Sequence, residues 1–387
     1  MKTYEYVIIG GGIAGCSTSF FLSKYSDSVL LIDRNNDLSQ GASGAAGAFL
    51  SPLLGKANQF KDLVTKALNF STNFYKENTP NEIINCGVVR IPKNNEDEKK
   101  FQSYKPYMDF EYKQEENGYF FKIGSQVNPY NICKILTKKV EKKFNYEVLS
   151  CEKKDGIWFL NNEIKAINLI ICTGADTSLI KEKYFNIRAV WGQKIDISST
   201  TCLTKNYHKS CSLSHSRKIE GEEIYLTSIG ATHNRISCDL GVCNNLLGKD
   251  KLILNGFNSY TKELIQANTT ELLEKANDIK LIQNPKIVDI KIGARASSID
   301  YFPMVGKLID SEKTLEKYPH LKNGSHMKNE MLSTIENLYV LNGVGGRGFV
   351  LSPYLAKNLV DHIIKNNFLE ESISTHRLFK RWVKKIV

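Results

Sequence analysis

The 387-residue chain has no run of about twenty apolar residues, so no part of it reads as a helix that spans a bilayer. Only Lys2 precedes the first apolar segment and glycines follow it, a pattern unlike a signal peptide. Cys-x-x-Cys is absent. The cysteines (Cys16, Cys86, Cys133, Cys151, Cys172, Cys202, Cys211, Cys238 and Cys243) are odd in number. Neither Cys238 nor Cys243 has a further Cys or His at zinc-like spacing. We therefore expect no metal, and reduced thiols in a cytoplasmic protein. Cys16 and Cys172 lie in apolar runs and read as small core residues. Acid is scarce beside base, with 41 Asp and Glu against 52 Lys and Arg, a net charge of +11. That balance suits a polyanionic partner, nucleic acid first. Arginine is scarce too, at nine residues, so a lysine-rich composition alone accounts for the charge equally well.

The N-terminus carries the most informative motif. An apolar β-branched run, Tyr6–Ile9, leads into Gly10-Gly-Gly12-Ile-Ala-Gly15, then an apolar helical stretch. A second strand, Val29–Ile32, ends at Asp33. Gly10 permits the turn out of the strand, Gly12 lets backbone amides approach a pyrophosphate, and Gly15 lets helix and strand pack closely. The helix N-terminus faces the phosphate charge and Asp33 is placed for ribose hydroxyls. Strand, glycine turn, helix, strand and acid in that order read as a dinucleotide site. Small residues follow at Gly41-Ala-Ser-Gly44-Ala-Ala-Gly47-Ala-Phe49, where the main chain can lie flush against a flat ring; a flexible loop is the plainer reading.

A second glycine cluster stands near the other end, at Gly343-Val-Gly345-Gly-Arg347-Gly348-Phe349. It too lies between a strand and an apolar helical pattern, so both ends are expected to fold into one cofactor domain. Lys165–Cys172 reads as a buried strand that stops at Thr173-Gly174, and Tyr146–Ser150 as another strand. Segments 85–125 and 190–290 alternate like antiparallel strands. The expected division is therefore a discontinuous cofactor domain (1–84, 126–189 and 291–387) threaded by a β-rich substrate domain (85–125 and 190–290). One further cluster is Arg295-Ala-Ser-Ser-Ile-Asp300-Tyr-Phe-Pro303-Met-Val-Gly306. A guanidinium among small residues suits bidentate capture of a carboxylate, or else a structural ion pair.

Together these residues resemble the flavin-dependent amine oxidases of the D-amino-acid oxidase/glycine oxidase superfamily. The likeness rests on Gly41–Gly44, Cys86-Gly-Val88, Ile229–His233, Arg295–Gly306, Gly346-Arg-Gly348 and the basic tail His376–Lys385. Within that superfamily it is nearest the FAD-dependent oxidoreductase half of the bifunctional enzymes that build 5-methylaminomethyl-2-thiouridine at the tRNA wobble position. The resemblance implies an α/β (α+β) architecture, with a Rossmann-like FAD-binding domain and an interleaved antiparallel substrate domain. It implies an FAD-contacting set of Gly10, Gly12, Ile13, Ala14, Gly15, Asp33, Arg34, Gly41, Ala42, Ser43, Gly44, Gly47, Ala48, Phe49, Val148, Thr173, Gly174, Gly345, Gly346, Arg347, Gly348 and Phe349. Arg295 is implied as the catalytic residue that holds substrate carboxylate. The implied reaction is oxidation of a carboxymethylaminomethyl group on wobble uridine of tRNA, with release of glyoxylate. Nine residues precede Gly10, so the methyltransferase step is expected to fall to a separate protein. Oxidation of free glycine, sarcosine or a D-amino acid is the alternative, and a non-catalytic RNA-binding flavoprotein the third reading. Where relatives carry a tyrosine-bearing strand, this chain has Ser212–Lys218.

Overall fold

The computed structural model describes residues 1–115, 117–234, 262–323, 325 and 327–385. Cys238, Cys243 and Ile386 lie outside the described residues. In chain order, the elements that position the site are β1 (Thr3–Ile9), α1 (Ile13–Leu22), β2 (Val29–Ile32), β3 (Val88–Arg90), β4 (Ile164–Ile171), β5 (Ile187–Ser199), β6 (Asn206–His208), β7 (Tyr225–Gly230), β8 (Lys286–Ser298), β9 (Thr334–Asn342), α2 (Gly348–Lys365) and α3 (His376–Val383).

The first sheet is built on parallel strands in the order β9, β4, β1, β2 and Glu141–Lys143. Continuous apolar runs serve here because both faces are covered. Ile8, Leu31 and Ile170 point into one core with α1 and α2, whereas Val7, Ile9, Ile32, Leu169 and Ile171 enter the other. A hairpin, Cys151–Lys154 with Ile157–Leu160, pairs antiparallel on the first half of β4. Met304–Ile309 closes the far edge against β9. The expected strand at Tyr146–Ser150 is not formed. Asn161 takes over the main-chain bonding there: its side chain accepts from the N–H groups of Leu149 and Ser150 and donates to Glu147 O. A side chain that satisfies backbone groups competes with a ladder, and the strand starts at Cys151 instead.

The second sheet is mostly antiparallel and runs β8, β5, β7, Ser212–Leu213, β6, β3, Gly118–Phe121 and Tyr112–Glu115. Its spine is the pairing of β5 with β8, from Ile187 opposite Ser298 to Ser198 opposite Lys286. Three features depart from the alternating pattern read in the sequence. β3 and β6 pair parallel, Asn95–Tyr104 forms a helix, and residues Lys262–Asn277 form another. That helix buries Asn268 and Thr269 beside Leu272 and Ala276, so half of its inward stripe is polar and its apolar period is faint. A three-stranded sheet, Phe49–Leu50, Ser125–Val127 and Ile83–Ile84, completes the architecture. Among the described residues, no helix is long and apolar enough to cross a membrane.

Candidate active site

The site grows from the C-terminal ends of β1, β4 and β9, where a parallel α/β sheet opens its crevice. Gly10 turns out of β1 at φ +114°, and its N–H donates to Ile32 O at 2.8 Å. A Cβ on Gly10 would overlap Cys172 O, and one on Gly15 would overlap Gly10 O, so only glycine allows this approach of turn, helix and neighbouring strand. The first turn of α1 holds no acidic side chain, so its positive end is not neutralised from within. Ser43 Oγ accepts from Ile13 N at 3.0 Å and ties the small-residue loop to that helix end. Asp33 Oδ2 accepts from Gly11 N at 2.6 Å, and Oδ1 accepts from Asn35 N and Nδ2. The acid thus also braces the glycine turn from within. Arg34 Nη1 pairs with Asp176 Oδ2 at 2.7 Å, which joins the ends of β2 and β4.

The loop after β2 is built for contact. A Cβ on Gly44 would overlap Ser39 O, and one on Gly47 would overlap the Phe49 ring. Gly293 of β8 meets the same loop: its Cβ would fall 2.8 Å from Ala42 Cα and 2.9 Å from Ala45 Cβ. Around Gly41 there is open space. Ala48 takes a left-handed φ of +49°. Beyond β4, Thr173 Oγ1 donates to Asp176 O, and Gly174 O accepts from Asn342 Nδ2 at 2.9 Å. Val148 is buried in the core on the far face of the sheet from α1, and Phe349 in the core shared with α1.

The second glycine turn meets the first. Gly348 has so little room that its Cβ would lie 3.2 Å from Ile13 Cγ2, and α2 packs against α1. Gly343 and Gly345 adopt φ of +75° and +56°. Val344 bridges to Ser297 of β8, and Gly346 stands beside Arg295, whose Cδ would lie 3.5 Å from a Cβ there.

Arg295 projects from β8 on the face that also carries Gly293. Its Nη1 and Nη2 donate to Thr232 O at 3.1 and 3.2 Å, and Nη1 reaches Trp191 O at 3.5 Å. A Cβ at Gly192 would fall 2.6 Å from Nη2, so the guanidinium lies across a strand that glycine keeps clear. Burial and the Arg295 charge hold His233 below the usual imidazole range.

One residue of this neighbourhood, Arg90, is missing from the set read in the sequence, and it stands beside Arg347, which that set includes. Arg90 of β3 donates from Nη1 to Ser51 Oγ (3.1 Å) and Pro52 O (2.8 Å), and Arg347 Nη1 donates to Ser51 O (3.2 Å). Ser51, directly after the small-residue loop, therefore holds both arginines. Both are largely enclosed by protein and keep some accessible surface. Burial, and for Arg90 then the Arg347 charge, pushes them down to about 9 and about 10 respectively. An arginine within an apolar strand, Val88-Val-Arg90, was the available clue.

The glycine cradles and the acid-free helix end fit a dinucleotide cofactor, with the Gly41–Phe49 loop and the Gly343–Gly348 turn converging on Arg295. Curated relatives agree with this picture. The chain is 25% identical to the tRNA 5-methylaminomethyl-2-thiouridine biosynthesis bifunctional protein MnmC of Campylobacter hominis, over 94% of this chain and 61% of that protein. It is 25% identical to the MnmC protein of Legionella pneumophila (strain Corby), over 93% of this chain and 54% of that protein. The chain thus spans just over half the length of these relatives. Among solved structures, glycine oxidase from Geobacillus kaustophilus superposes with a TM-score of 0.67 at 14% identity, covering 95% of this chain and 96% of that one. Iminodiacetate oxidase from Chelativorans sp. BNC1 gives 0.65 at 14% identity, covering 95% and 99%. Residues 5–362 match the FAD dependent oxidoreductase family (DAO), and the chain belongs to that family of FAD-dependent oxidoreductases.

Proposed function

We propose that the protein oxidises the carboxymethylaminomethyl group on a tRNA wobble uridine to an aminomethyl group, with release of glyoxylate. The observation that carries this reading is Arg295, set between Gly192 and Gly346 where the two glycine loops meet. The substrate side chain is an N-alkylated glycine, and the planar fork of Arg295 suits its carboxylate. Holding that carboxylate fixes the glycyl methylene and the amine in one orientation. The cation also disfavours an ammonium beside it, which leaves the amine lone pair available. When bound, FAD supplies the two-electron acceptor. The glycyl C–H bond is lost as hydride and the amine nitrogen forms C=N. Water adds to that bond, which then breaks to free the primary amine and the aldehyde of glyoxylate. His233 and His208, both held neutral by burial and neighbouring cations, need take no proton.

Similarity to the MnmC proteins and the +11 charge support tRNA as the substrate and the cytoplasm as its place. The aminomethyl product would pass to a methyltransferase. Nucleoside mass spectrometry of tRNA bearing the carboxymethylaminomethyl group, before and after incubation with the flavin-loaded protein, tests the reading. Conversion to the aminomethyl nucleoside with equimolar glyoxylate is expected. Turnover of free glycine or iminodiacetate with tRNA left untouched would replace it with a small-amine oxidase.

A further inference from the structure

We propose that Arg90 and Arg347, joined through Ser51, form a second oxyanion subsite next to Arg295, so that the cleft takes substrates with two acidic groups rather than one. The inference deepens the reading above and rests on its placement of a substrate carboxylate at Arg295.

Three segments distant in sequence build the pair: Arg90 from β3, Arg347 from the second glycine turn, and Ser51 from the end of the small-residue loop. Ser51 and Pro52 give the guanidiniums a hydroxyl and two carbonyl oxygens, which are dipoles and not charges. Among the described residues, neither arginine has a carboxylate within ion-pair distance, although 18 such pairs occur elsewhere. Arg90 Nε is buried and has no hydrogen-bond partner among the described residues. The residue opposite Arg90 on β6 is His208, whose imidazole is never an anion and so offers no counter-charge. Two adjacent cations within the protein are costly without an anion. Guanidinium forks are the donors that suit an oxyanion, whether carboxylate or phosphate.

The geometry also relates this subsite to the first. Gly346 packs beside the Arg295 side chain and immediately precedes Arg347 in the chain, so one glycine turn serves both. Glycine itself would satisfy only one of them. A nucleotide within RNA brings a phosphodiester besides the glycyl carboxylate, and a small iminodiacid brings a second carboxylate. Both offer the same chemistry, an oxyanion, at the Arg90 side.

The experiment is equilibrium binding of inorganic phosphate to the flavin-loaded protein, followed by titration calorimetry. Saturable binding is expected, weakened about tenfold or more in Arg90→Met, the loss of a charge-assisted fork. Arg90→Lys, which keeps the charge, should fall between the two and serves if the methionine variant does not fold. In an Arg295→Lys background, Arg90→Met should weaken phosphate binding by the same factor, since the subsite is a separate fork. Absence of phosphate binding in wild type, or equal binding in Arg90→Met and Arg90→Lys, would overturn the subsite. Flavin loss on either Arg90 substitution would overturn it too, by making the pair a cofactor clamp. Kinetics then distinguish the sources. A fall in kcat/KM on modified anticodon stem-loop RNA but not on its free nucleoside assigns the phosphodiester, and a fall on iminodiacetate assigns the carboxylate. Phosphate binding does not depend on turnover, so failure of the tRNA reading and failure of the subsite are separate results.

Discussion

Arg377 grips Asp300 at two points: Nε donates to Oδ2 and Nη2 to Oδ1, each at 2.9 Å. Its remaining hydrogen bonds go to the carbonyls of Phe302, Pro303 and Ser374. The guanidinium therefore pins α3 to the turn that follows β8, and it is not part of an outward basic face. Burial pushes the Asp300 carboxyl up, but the Arg377 hydrogen bond and charge outweigh it and leave the carboxyl below its ordinary value.

That sign fixes a pH dependence. A carboxyl depressed by folding contributes stability in full above the unfolded value of about 3.9, and the contribution is lost as pH falls through the folded value. Arg377→Ala should cost about 1.5–3 kcal/mol in urea unfolding near neutral pH, the loss of charge-assisted bonds to a half-buried carboxylate that keeps Ser298 Oγ and Phe302 N as donors. The gap to wild type should narrow as the titration is taken below about pH 3.9. A gap that stays constant down to about pH 3 would assign the loss to packing instead.

The glycines of the small-residue loop should separate cleanly. Gly44→Ala forces a methyl into Ser39 O and should cost about 1–3 kcal/mol, with loss of bound flavin on gel filtration. Gly41 faces open space, so Gly41→Ala should melt within about 0.5 kcal/mol of wild type. Retention of flavin by Gly44→Ala would remove this loop from the cofactor surface.

Arg295→Lys keeps the charge and loses the fork. Its kcat/KM on the carboxymethylaminomethyl substrate should fall by about 10- to 100-fold, the loss of a charge-assisted bond. The melting temperature should move by less than about 3 °C, because lysine keeps the positive charge in place. A melting temperature that falls in step with activity would make Arg295 a structural strut.

With Arg377 turned inward, fewer cations of the basic tail His376–Lys385 stay open to tRNA phosphates. Lys380 pairs with Glu371 at 3.0 Å, whereas Arg381, Lys384 and Lys385 are exposed. Replacing Lys384 and Lys385 by alanine should reduce the salt slope of tRNA binding by roughly one to two, with flavin content unchanged. An unchanged slope would move the contact elsewhere, first to the lysines between Lys138 and Lys143.

The glycine turns were legible in the sequence because each glycine answers a local demand, as the Gly10–Cys172 and Gly15–Gly10 approaches illustrate. Arg90 was not. Its meaning depends on β3 pairing with β6, more than a hundred residues away, and on Ser51 reaching both arginines. No local pattern encodes such a meeting. Arg377 misled for the opposite reason: in a run of cations its sequence context is that of a solvated residue, and only Asp300, 77 positions earlier, turns it inward. The strand expected at Tyr146–Ser150 failed through one side chain, Asn161, placed beyond the window in which alternation is read.

The packing of Gly348 against Ile13 sets a timetable for synthesis. The nucleotide turn leaves the ribosome well before the helix that packs on α1, which is translated over 330 residues later. At elongation rates of roughly 5–20 residues per second, that interval is on the order of tens of seconds. Throughout it β1 has β2 beside it, while the β4 and β9 positions fill only as those strands emerge. A nascent chain stalled before Gly343 is therefore expected to bind no flavin, although its first glycine turn is complete.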